Sequence, residues 1–224
     1  MRLLRLTALV LAAACLMAAA SPRNWISSVV VTPSGGHLLG NPQAQIKLVE
    51  YVSYTCPHCA HFQQQADAPL RLGYVQPGRV SLEVRHFVRD PVDMTVAMLT
   101  NCGAPARFYQ AHNAFLRSQD RWMATYAKAS DAQKARWTTG ENAARMRAIA
   151  ADFGFYTMME QHGLNRPVAD RCLADAAMMR RLTAQTVEAQ RLGVSGTPSF
   201  LLDDTLLAGT HDWPALNLQL EARF

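Results

Sequence analysis

Hydrophobic residues follow strand-like spacings near both ends of the chain and only helix-like spacings between them. Residues 46–52 form a nearly continuous apolar run, which predicts a strand buried on both faces. Apolar and polar residues alternate over residues 80–88, which predicts a second strand. Between these strands an apolar residue recurs at every fourth position, which predicts a helix over residues 59–73, bent at Pro69 because proline lacks a backbone N–H.

Residues 94–192 show helical patterns only. Within this region Thr138 and Glu141 have the spacing of a capping box, which would begin a helix. A long final helix is predicted over residues 175–192, ended by Gly193. We therefore expect an all-helical block between the two strand-containing regions.

Strand patterns return after the helical block. Residues 199–202 and 205–208 flank Asp203-Asp204, which predicts a hairpin turn, and Asp212 is placed to cap a terminal helix. The order of elements favours one α/β domain, with βαβ and ββα halves separated by an all-helical insertion, over two domains in series. The predicted boundaries are a signal peptide at 1–20, an N-terminal extension or linker at 21–35, the first half of the domain at 36–93, the helical insertion at 94–192 and the second half at 193–224.

The first 20 residues have the pattern of a secretory signal peptide. Arg2 and Arg5 precede an apolar segment, and three alanines precede Ser21. We therefore expect export to the periplasm or another extracytoplasmic compartment, where disulfides persist. Two alternatives remain: an uncleaved leader that anchors the protein, or a lipoprotein signal with a lipidated Cys15.

Composition and charge fit a globular exported protein. Half of the 224 residues are hydrophobic and 17% are charged, which is enough for a sizeable core. The net charge of +5 includes the two arginines of the leader, and no cluster of Lys and Arg forms a basic patch. The sequence therefore predicts no nucleic-acid partner.

Cys56-Pro57-His58-Cys59 follows the first predicted strand and lies at the start of the predicted helix. Unpaired N–H groups and the positive end of the helix dipole stabilise a thiolate there, and the pKa of a free cysteine, about 8.5, falls to roughly 3.5–7.5 in such sites. We expect Cys56 to be the accessible nucleophile and Cys59 the less exposed resolving thiol. His58 is expected to add a positive charge or a hydrogen bond to Cys56.

Two other interpretations of the cysteine pair are a zinc site and a static disulfide. His61 follows the pair and is a possible zinc ligand, but a structural site needs a second closely spaced pair of ligands. The remaining cysteines of the mature chain, Cys102 and Cys172, are far apart in the sequence. We therefore predict no metal and no other cofactor.

Gly193-Val194-Ser195-Gly196-Thr197-Pro198-Ser199-Phe200 precedes a predicted strand. Proline cannot donate to a ladder, so Pro198 belongs in a turn or at the first position of the strand. The bond between Thr197 and Pro198 is either an ordinary trans bond or a cis bond that turns the backbone sharply. The presence of Cys-Pro-His-Cys elsewhere in the chain favours cis.

Residues 50–59 and the later Gly-Thr-Pro resemble the DsbA family of thiol:disulfide oxidoreductases, and the likeness covers residues 36–224. The resemblance implies a thioredoxin-like fold with a helical insertion. It also implies that Cys56 is the exposed, attacked sulfur, that Cys59 is its buried partner, and that Pro198 is a cis-proline facing them. Thr197 would offer its backbone to an extended peptide. Glu50 matches the family's buried acid, which takes up a proton near the resolving thiol, although a surface glutamate at a strand end is the alternative.

Two positions depart from the family pattern. Glu83 and Arg85 occupy the strand where members often carry a lysine paired with the buried acid, so proton transfer around Cys59 is expected to be arranged differently. Thr197 replaces the valine of the best-studied oxidase, and threonine also occurs in isomerase-type relatives.

Cys102 and Cys172 each lie on a helical stripe, so they are either two buried thiols or a disulfide that links parts of the helical block. In an oxidising compartment we favour the structural disulfide, and some DsbA relatives carry a second bridge.

The resemblance predicts an exported, monomeric dithiol oxidase. It would donate the Cys56–Cys59 disulfide to unfolded or folding exported proteins, and a membrane redox partner would reoxidise it. One alternative is a reductase or isomerase kept reduced by an electron donor. The other is a peptide-binding, chaperone-like module.

Overall fold

The computed structural model of the protein describes residues 23–224. The predicted leader at residues 1–20, with Arg2, Arg5 and Cys15, lies outside these residues. Within residues 23–224, no helix is both long and apolar enough to cross a membrane.

In the part of the chain that the structure describes, six strands form one mixed sheet in the order β1-β2-β4-β3-β5-β6. Only the neighbours β3 and β4 are parallel, and the other neighbouring pairs are antiparallel. The central strand β3 is almost completely buried, which confirms its predicted burial on both faces. β4 and β6 end two residues earlier than the predicted strands. The strands are β1 (Val29–Val31), β2 (His37–Gly40), β3 (Ile46–Val52), β4 (Val80–His86), β5 (Ser199–Leu202) and β6 (Thr205–Leu206).

Ten α-helices accompany the sheet in the described part of the chain. α1 connects β3 to β4, α2 to α9 form the helical block between β4 and β5, and α10 ends the chain. They are α1 (Pro57–Leu70), α2 (Pro91–Thr100), α3 (Phe108–Arg117), α4 (Gln119–Lys128), α5 (Asp131–Thr138), α6 (Asn142–Asp152), α7 (Phe155–Gln161), α8 (Arg166–Leu173), α9 (Ala176–Arg191) and α10 (Trp213–Glu221).

The helix after β3 begins two residues earlier than predicted, and α1 itself ends at Leu70, before the predicted end. It begins at Pro57, whose fixed φ and missing N–H suit the first helical position. Pro69 lies inside its last turn, and the chain continues as a π-helical segment, Arg71–Val75, beyond the predicted end at residue 73. The early start places Cys59 in the first turn of the helix.

The predicted capping box at Thr138 is wrong. Thr138 ends α5 and donates to carbonyls of its own helix, whereas Glu141 precedes α6 without a side-chain capping bond. The capping box lies at the start of α5, where Ser130 Oγ accepts from the Gln133 N–H and Gln133 Oε1 accepts from the Ser130 N–H. α5 ends and α6 begins near residue 140. Thr138 therefore lies in the last turn of α5 and not at the start of a new helix.

A disulfide joins Cys102, just after α2, to Cys172 in α8. The alternative of two buried thiols is therefore wrong. The bridge has a sequence separation of 70 and links the end of α2, the first helix of the block, to α8, the seventh.

The predicted turns near the end of the chain are confirmed. Asp203 and Asp204 have φ of 49° and 65°, a left-handed pair that matches the twist of a two-residue hairpin between β5 and β6. Asp212 accepts from the Ala215 N–H at 2.9 Å and caps α10.

Candidate active site

The two thiols lie where β3 passes into α1. Cys56 is the N-cap of α1 and Cys59 lies in its first turn, and both are free thiols in this structure. Cys56 is 2% exposed and Cys59 is 0% exposed, so the predicted exposure of Cys56 is wrong. The segment around Thr197 covers the sulfur, because the Cys56 Sγ lies 3.1 Å from the Thr197 carbonyl oxygen. The residues between the thiols, Pro57 and His58, are exposed.

The acidities of the two thiols diverge. A hydrogen bond from the Cys59 thiol is the main cause that lowers the pKa of Cys56 to about 5, and it outweighs the opposing effect of burial. Thr197 and the backbone N–H groups of His58 and Cys59 lower the pKa further. Burial is the main cause that raises the pKa of Cys59 well above its usual value, and the neighbouring Cys56 adds to it. At neutral pH the pair therefore holds one thiolate, on Cys56.

Of the two contributions expected from His58, the side-chain hydrogen bond to Cys56 is absent among the described residues. The backbone N–H of His58, at the second position of the helix, is among the groups that lower the pKa of Cys56. Its imidazole forms no hydrogen bond to either thiol within the described residues. The helix start, rather than the histidine ring, therefore supplies the stabilising contact seen here.

The segment before β5 lies against the thiols. β5 pairs with β3, and Ser199 lies opposite Tyr51, so the residues just before Ser199 reach the end of β3 where Cys56 begins α1. The Thr197–Pro198 bond is cis, as the sequence pattern favoured. The Thr197 hydroxyl is buried without a nitrogen or oxygen partner in the described part of the chain, so it is free to donate to a Cys56 thiolate.

His211 contacts this segment and was not identified from the sequence as part of the site. Its Nδ1 lies 2.8 Å from the Pro198 carbonyl oxygen and donates to it. The contact bridges the loop before α10 to the cis-proline segment, so His211 helps to hold Pro198 in place.

Gln119 and Asp93 anchor the loop that leads to Cys56, and sequence reasoning missed both. The buried amide of Gln119 donates to the carbonyls of Tyr54 and Cys56 at 2.6 and 2.9 Å. Asp93 accepts from the Ser53 hydroxyl at 2.6 Å and from the Tyr54 N–H at 2.7 Å. Both residues belong to helices of the helical block, so the block positions the redox loop.

Glu50 is buried in β3, and the alternative of a surface glutamate is wrong. It is 1% exposed, and burial raises its pKa to about 8, so the side chain is protonated at neutral pH. Its Oε1 has no hydrogen-bond partner among residues 23–224. It lines a cavity of about 10 Å³ together with Gln63, Asp67 and Tyr109, which is close to the space that one water molecule needs.

Val84 occupies the β4 position opposite Glu50. Side chains alternate between the two faces of a strand, so Glu83 and Arg85 point to the other face of the sheet. There Arg85 pairs with Glu83 at 2.8 Å and reaches the hydroxyl of Tyr51 at 3.3 Å. Neither charge serves as the partner of Glu50, which agrees with the expectation that proton transfer around Cys59 is arranged differently from the family pattern.

Within residues 23–224, no group of three or more His, Cys, Asp or Glu side chains is arranged to hold a metal ion. The site thus offers two thiols of different acidity and a backbone segment at Thr197 beside the more acidic sulfur, and the strand that leads to it carries a buried protonated carboxyl group.

Comparison with known proteins places this geometry in a family. A family model described as thioredoxin matches residues 32–222. A crystal structure of protein-disulfide isomerase from Novosphingobium aromaticivorans is similar, with 54% identity and a TM-score of 0.81 over 84% of this chain and 97% of that one. Wolbachia pipientis alpha-DsbA1 shares the fold, with 23% identity and a TM-score of 0.65 over 86% of this chain and 92% of that one.

A Rickettsia typhi protein, provisionally named a protein-disulfide oxidoreductase, is 29% identical over 74% of this chain. The chain spans 54% of that relative's length, and 32% of the length of a similarly named protein of Rickettsia prowazekii, which is 36% identical over 38% of this chain. Since the family model covers most of the sequence and the architecture agrees with that of DsbA structures, the chain belongs to the thioredoxin family and has a DsbA-like fold.

Proposed function

We propose that the protein is an exported thiol:disulfide oxidoreductase that passes the Cys56–Cys59 disulfide to folding proteins. The observation that carries this proposal is the divergent acidity of the two thiols, with the pKa of Cys56 lowered to about 5 and that of Cys59 raised. The names of the Novosphingobium and Rickettsia relatives, a protein-disulfide isomerase and protein-disulfide oxidoreductases, support the same class of reaction.

The oxidised protein reacts in two exchange steps. A substrate thiolate attacks the Cys56 sulfur, the Cys56–Cys59 bond breaks, and Cys59 leaves as a thiolate that takes up a proton. A second substrate thiolate then attacks the substrate sulfur of the mixed disulfide and releases Cys56. The substrate ends oxidised by two electrons, and the protein ends as the dithiol. Cys56 leaves readily because a thiol of low pKa is a good leaving group.

In this proposal Glu50 serves the proton transfer at Cys59. A thiol with a raised pKa must be protonated when it is released, and a carboxyl group with a pKa of about 8 carries a proton at neutral pH. A water molecule in the cavity beside Glu50 would carry the proton onward.

The stability of the Cys56 thiolate supports the proposed direction of electron flow, from the substrate to this protein. The thiolate exists only in the reduced protein, so each pKa unit by which it is stabilised favours the dithiol by about 1.4 kcal/mol, or about 30 mV. A pair of this kind gives its disulfide away. A membrane redox partner would restore it, and the leader at residues 1–20 would direct the protein to an extracytoplasmic compartment.

The alternative of an isomerase or reductase is favoured by the name of the Novosphingobium relative and by Thr197. The two activities separate in one assay with two substrates: a reduced protein that needs two disulfides, and the same protein with scrambled disulfides. The proposal predicts that the oxidised enzyme refolds the reduced substrate, and that Cys56→Ala abolishes this. Faster recovery of the scrambled substrate by the reduced enzyme, without oxidation of the reduced one, would establish the isomerase instead.

The hypothesis that the protein is a peptide-binding module predicts a third result in this assay. If the thioredoxin fold only holds extended chains, Cys56→Ala would leave folding assistance intact, whereas the oxidoreductase loses it.

A further inference from the structure

An apolar groove lies beside the active-site loop, at the junction of the sheet and the helical block. Thr55, the residue before Cys56, lines one end of it. The N-terminal end of α2 and the helices α4 and α5 form its walls, with Val92, Met123, Tyr126 and Trp137 as apolar lining residues. The groove encloses about 220 Å³. That volume is below the ~300–1,000 Å³ of clefts that take whole cofactors or drug-sized ligands, and it suits one or two side chains.

Two aromatic residues give the groove its apolar surface. Trp137 is buried, and its ring centroid lies 5.9 Å from that of Tyr126, which is 50% exposed. The indole N–H of Trp137 already donates to Asp152 at 2.7 Å, so the ring adds no unsatisfied polar atom to the groove. A half-exposed tyrosine over a buried tryptophan is a surface that an apolar side chain would cover favourably.

The polar groups of the groove are biased toward positive charge. Arg89 donates to the Thr55 carbonyl at 3.1 Å, and Lys134 Nζ lies 5.8 Å from the ring centroid of Tyr126. Neither cation forms a salt bridge to any residue in the range 23–224. The one carboxylate of the groove, Asp90, is occupied, because it accepts from the Thr55 hydroxyl at 2.6 Å and from a helix N–H at 2.9 Å. An incoming carboxylate would therefore meet two cations without an ion-pair partner and one carboxylate, Asp90, whose oxygens already accept hydrogen bonds.

We propose that this groove binds the substrate polypeptide next to its reacting cysteine, and that it selects an apolar side chain accompanied by an acidic residue. The inference rests on the proposed oxidoreductase function and names its preferred substrate sequences. Thr55 and Cys56 are adjacent, so a substrate cysteine at Cys56 brings its neighbours to the groove. Residues two or three positions away in an extended chain lie roughly 7–11 Å from the cysteine.

The test uses short peptides with one cysteine and four neighbouring patterns. Leu and Glu stand at the second and third positions before or after the cysteine, and the matched peptides carry Ala and Lys at the same positions. The rate of mixed-disulfide formation with the oxidised protein is measured for each peptide and for glutathione. On at least one side of the cysteine, the Leu/Glu peptide should react about tenfold faster than the Ala/Lys peptide, which corresponds to ~1.4 kcal/mol.

Two groove variants and two matched controls identify the surface responsible. Tyr126→Ala should lose the preference and Lys134→Glu should reverse it in favour of the Lys peptide, whereas the rate with glutathione stays unchanged. Lys128→Glu and Leu218→Ala change an exposed lysine of α4 and an exposed leucine of α10, outside the groove, and should keep the preference. Equal rates for all peptides with the wild-type protein, or groove variants that behave like the controls, would overturn the inference.

Peptides with serine in place of cysteine separate this inference from the proposed function, since their binding needs no exchange chemistry. Tighter binding of the Leu/Glu serine peptide, reduced by Lys134→Glu, supports the groove even if no thiol is oxidised. In that case the oxidoreductase function alone would fail. Equal affinity for both serine peptides, together with normal oxidation of glutathione, would overturn the groove and leave the function standing.

Discussion

The side-chain amide of Gln119 donates a hydrogen bond to the backbone carbonyl of Cys56 at 2.9 Å. The same amide donates to the carbonyl of Tyr54. Gln119, the first residue of α4, therefore binds the residues on both sides of Thr55. The helical block is thus attached to the backbone of the nucleophile itself, and its helices take part in shaping the redox site.

Gln119→Ala should destabilise the protein and slow its reaction with thiols. The substitution leaves the Tyr54 carbonyl without a donor, whereas the Cys56 carbonyl keeps the Ala60 N–H. A buried unsatisfied polar group costs about 1–3 kcal/mol. Denaturant unfolding measures the loss. Gln65→Ala removes an exposed glutamine of α1 and is the control. If the unfolding curves of the two variants coincide, the Gln119 contacts contribute nothing to the free energy of unfolding.

Thr197→Val should raise the pKa of Cys56 from its value of about 5. The Thr197 side chain helps to lower the pKa of Cys56, and valine has nearly the same shape without the hydroxyl. The ultraviolet absorbance of the thiolate, followed against pH, gives the pKa directly. Ser195→Ala removes an exposed hydroxyl two residues away and should leave the titration unchanged. The same midpoint in Thr197→Val and wild type would exclude the hydroxyl as a stabilising group.

The stability of the Glu50→Gln variant relative to that of the wild-type protein should increase as the pH rises. Burial raises the pKa of Glu50 from 4.5 to about 8, so the wild-type side chain stabilises the fold as a neutral acid. This contribution is fully present below pH 4.5 and is lost as the pH rises through about 8, at up to roughly 1.4 kcal/mol per pH unit. The unfolding free energy of the variant relative to wild type should therefore increase from pH 4.5 to pH 8. A constant difference would contradict the raised pKa.

Three buried histidines should stay neutral far into the acid range. His37 stacks on Phe108 with centroids 3.8 Å apart, and His86 and His112 pack against the same ring. Burial lowers the pKa of His37 to about 4, that of His112 to about 3, and that of His86 well below its usual value.

Their contribution to stability is present above the unfolded pKa of 6.5 and is lost as the pH falls through the folded values. Imidazole NMR titrations should show no protonation of His37 and His112 until the pH approaches 4 and 3. Midpoints near 6.5 would contradict the lowering of these pKa values by burial.

Replacement of Cys102 and Cys172 by alanine should lower the stability of the protein without removing its redox chemistry. The disulfide closes a loop with a sequence separation of 70, which corresponds to about 4 kcal/mol in the chain-entropy model. Denaturant unfolding measures the loss, and thiol oxidation through Cys56 should persist. An unfolding free energy equal to that of wild type would show that the bridge does not stabilise the block.

Local signals in the sequence predicted much of this structure. Asp212 and its helix, the Asp203-Asp204 turn and the buried strand β3 each follow from a few neighbouring residues, whose conformational preferences agree with the fold. The Cys-Pro-His-Cys motif likewise placed both thiols at a helix start. The capping box near Thr138 failed because two adjacent helices offered similar signals within a few residues.

Contacts between distant segments could not be predicted in the same way. Gln119 and Asp93 lie in helices of the inserted block, more than 30 residues from the loop that they anchor. No spacing in the sequence signals these hydrogen bonds. The burial of Cys56 was missed for the same reason, since the segment that covers it begins 141 residues later.

The equilibrium of the Cys56–Cys59 pair with glutathione tests the central claim most directly. Mixtures of reduced and oxidised glutathione of known ratio set the potential, and the fraction of dithiol protein is read after alkylation of free thiols. A stabilised Cys56 thiolate predicts a potential clearly above that of thioredoxin and shifted toward that of DsbA, about −120 mV. A potential near that of thioredoxin, about −270 mV, would contradict the claim that this protein gives its disulfide to substrates.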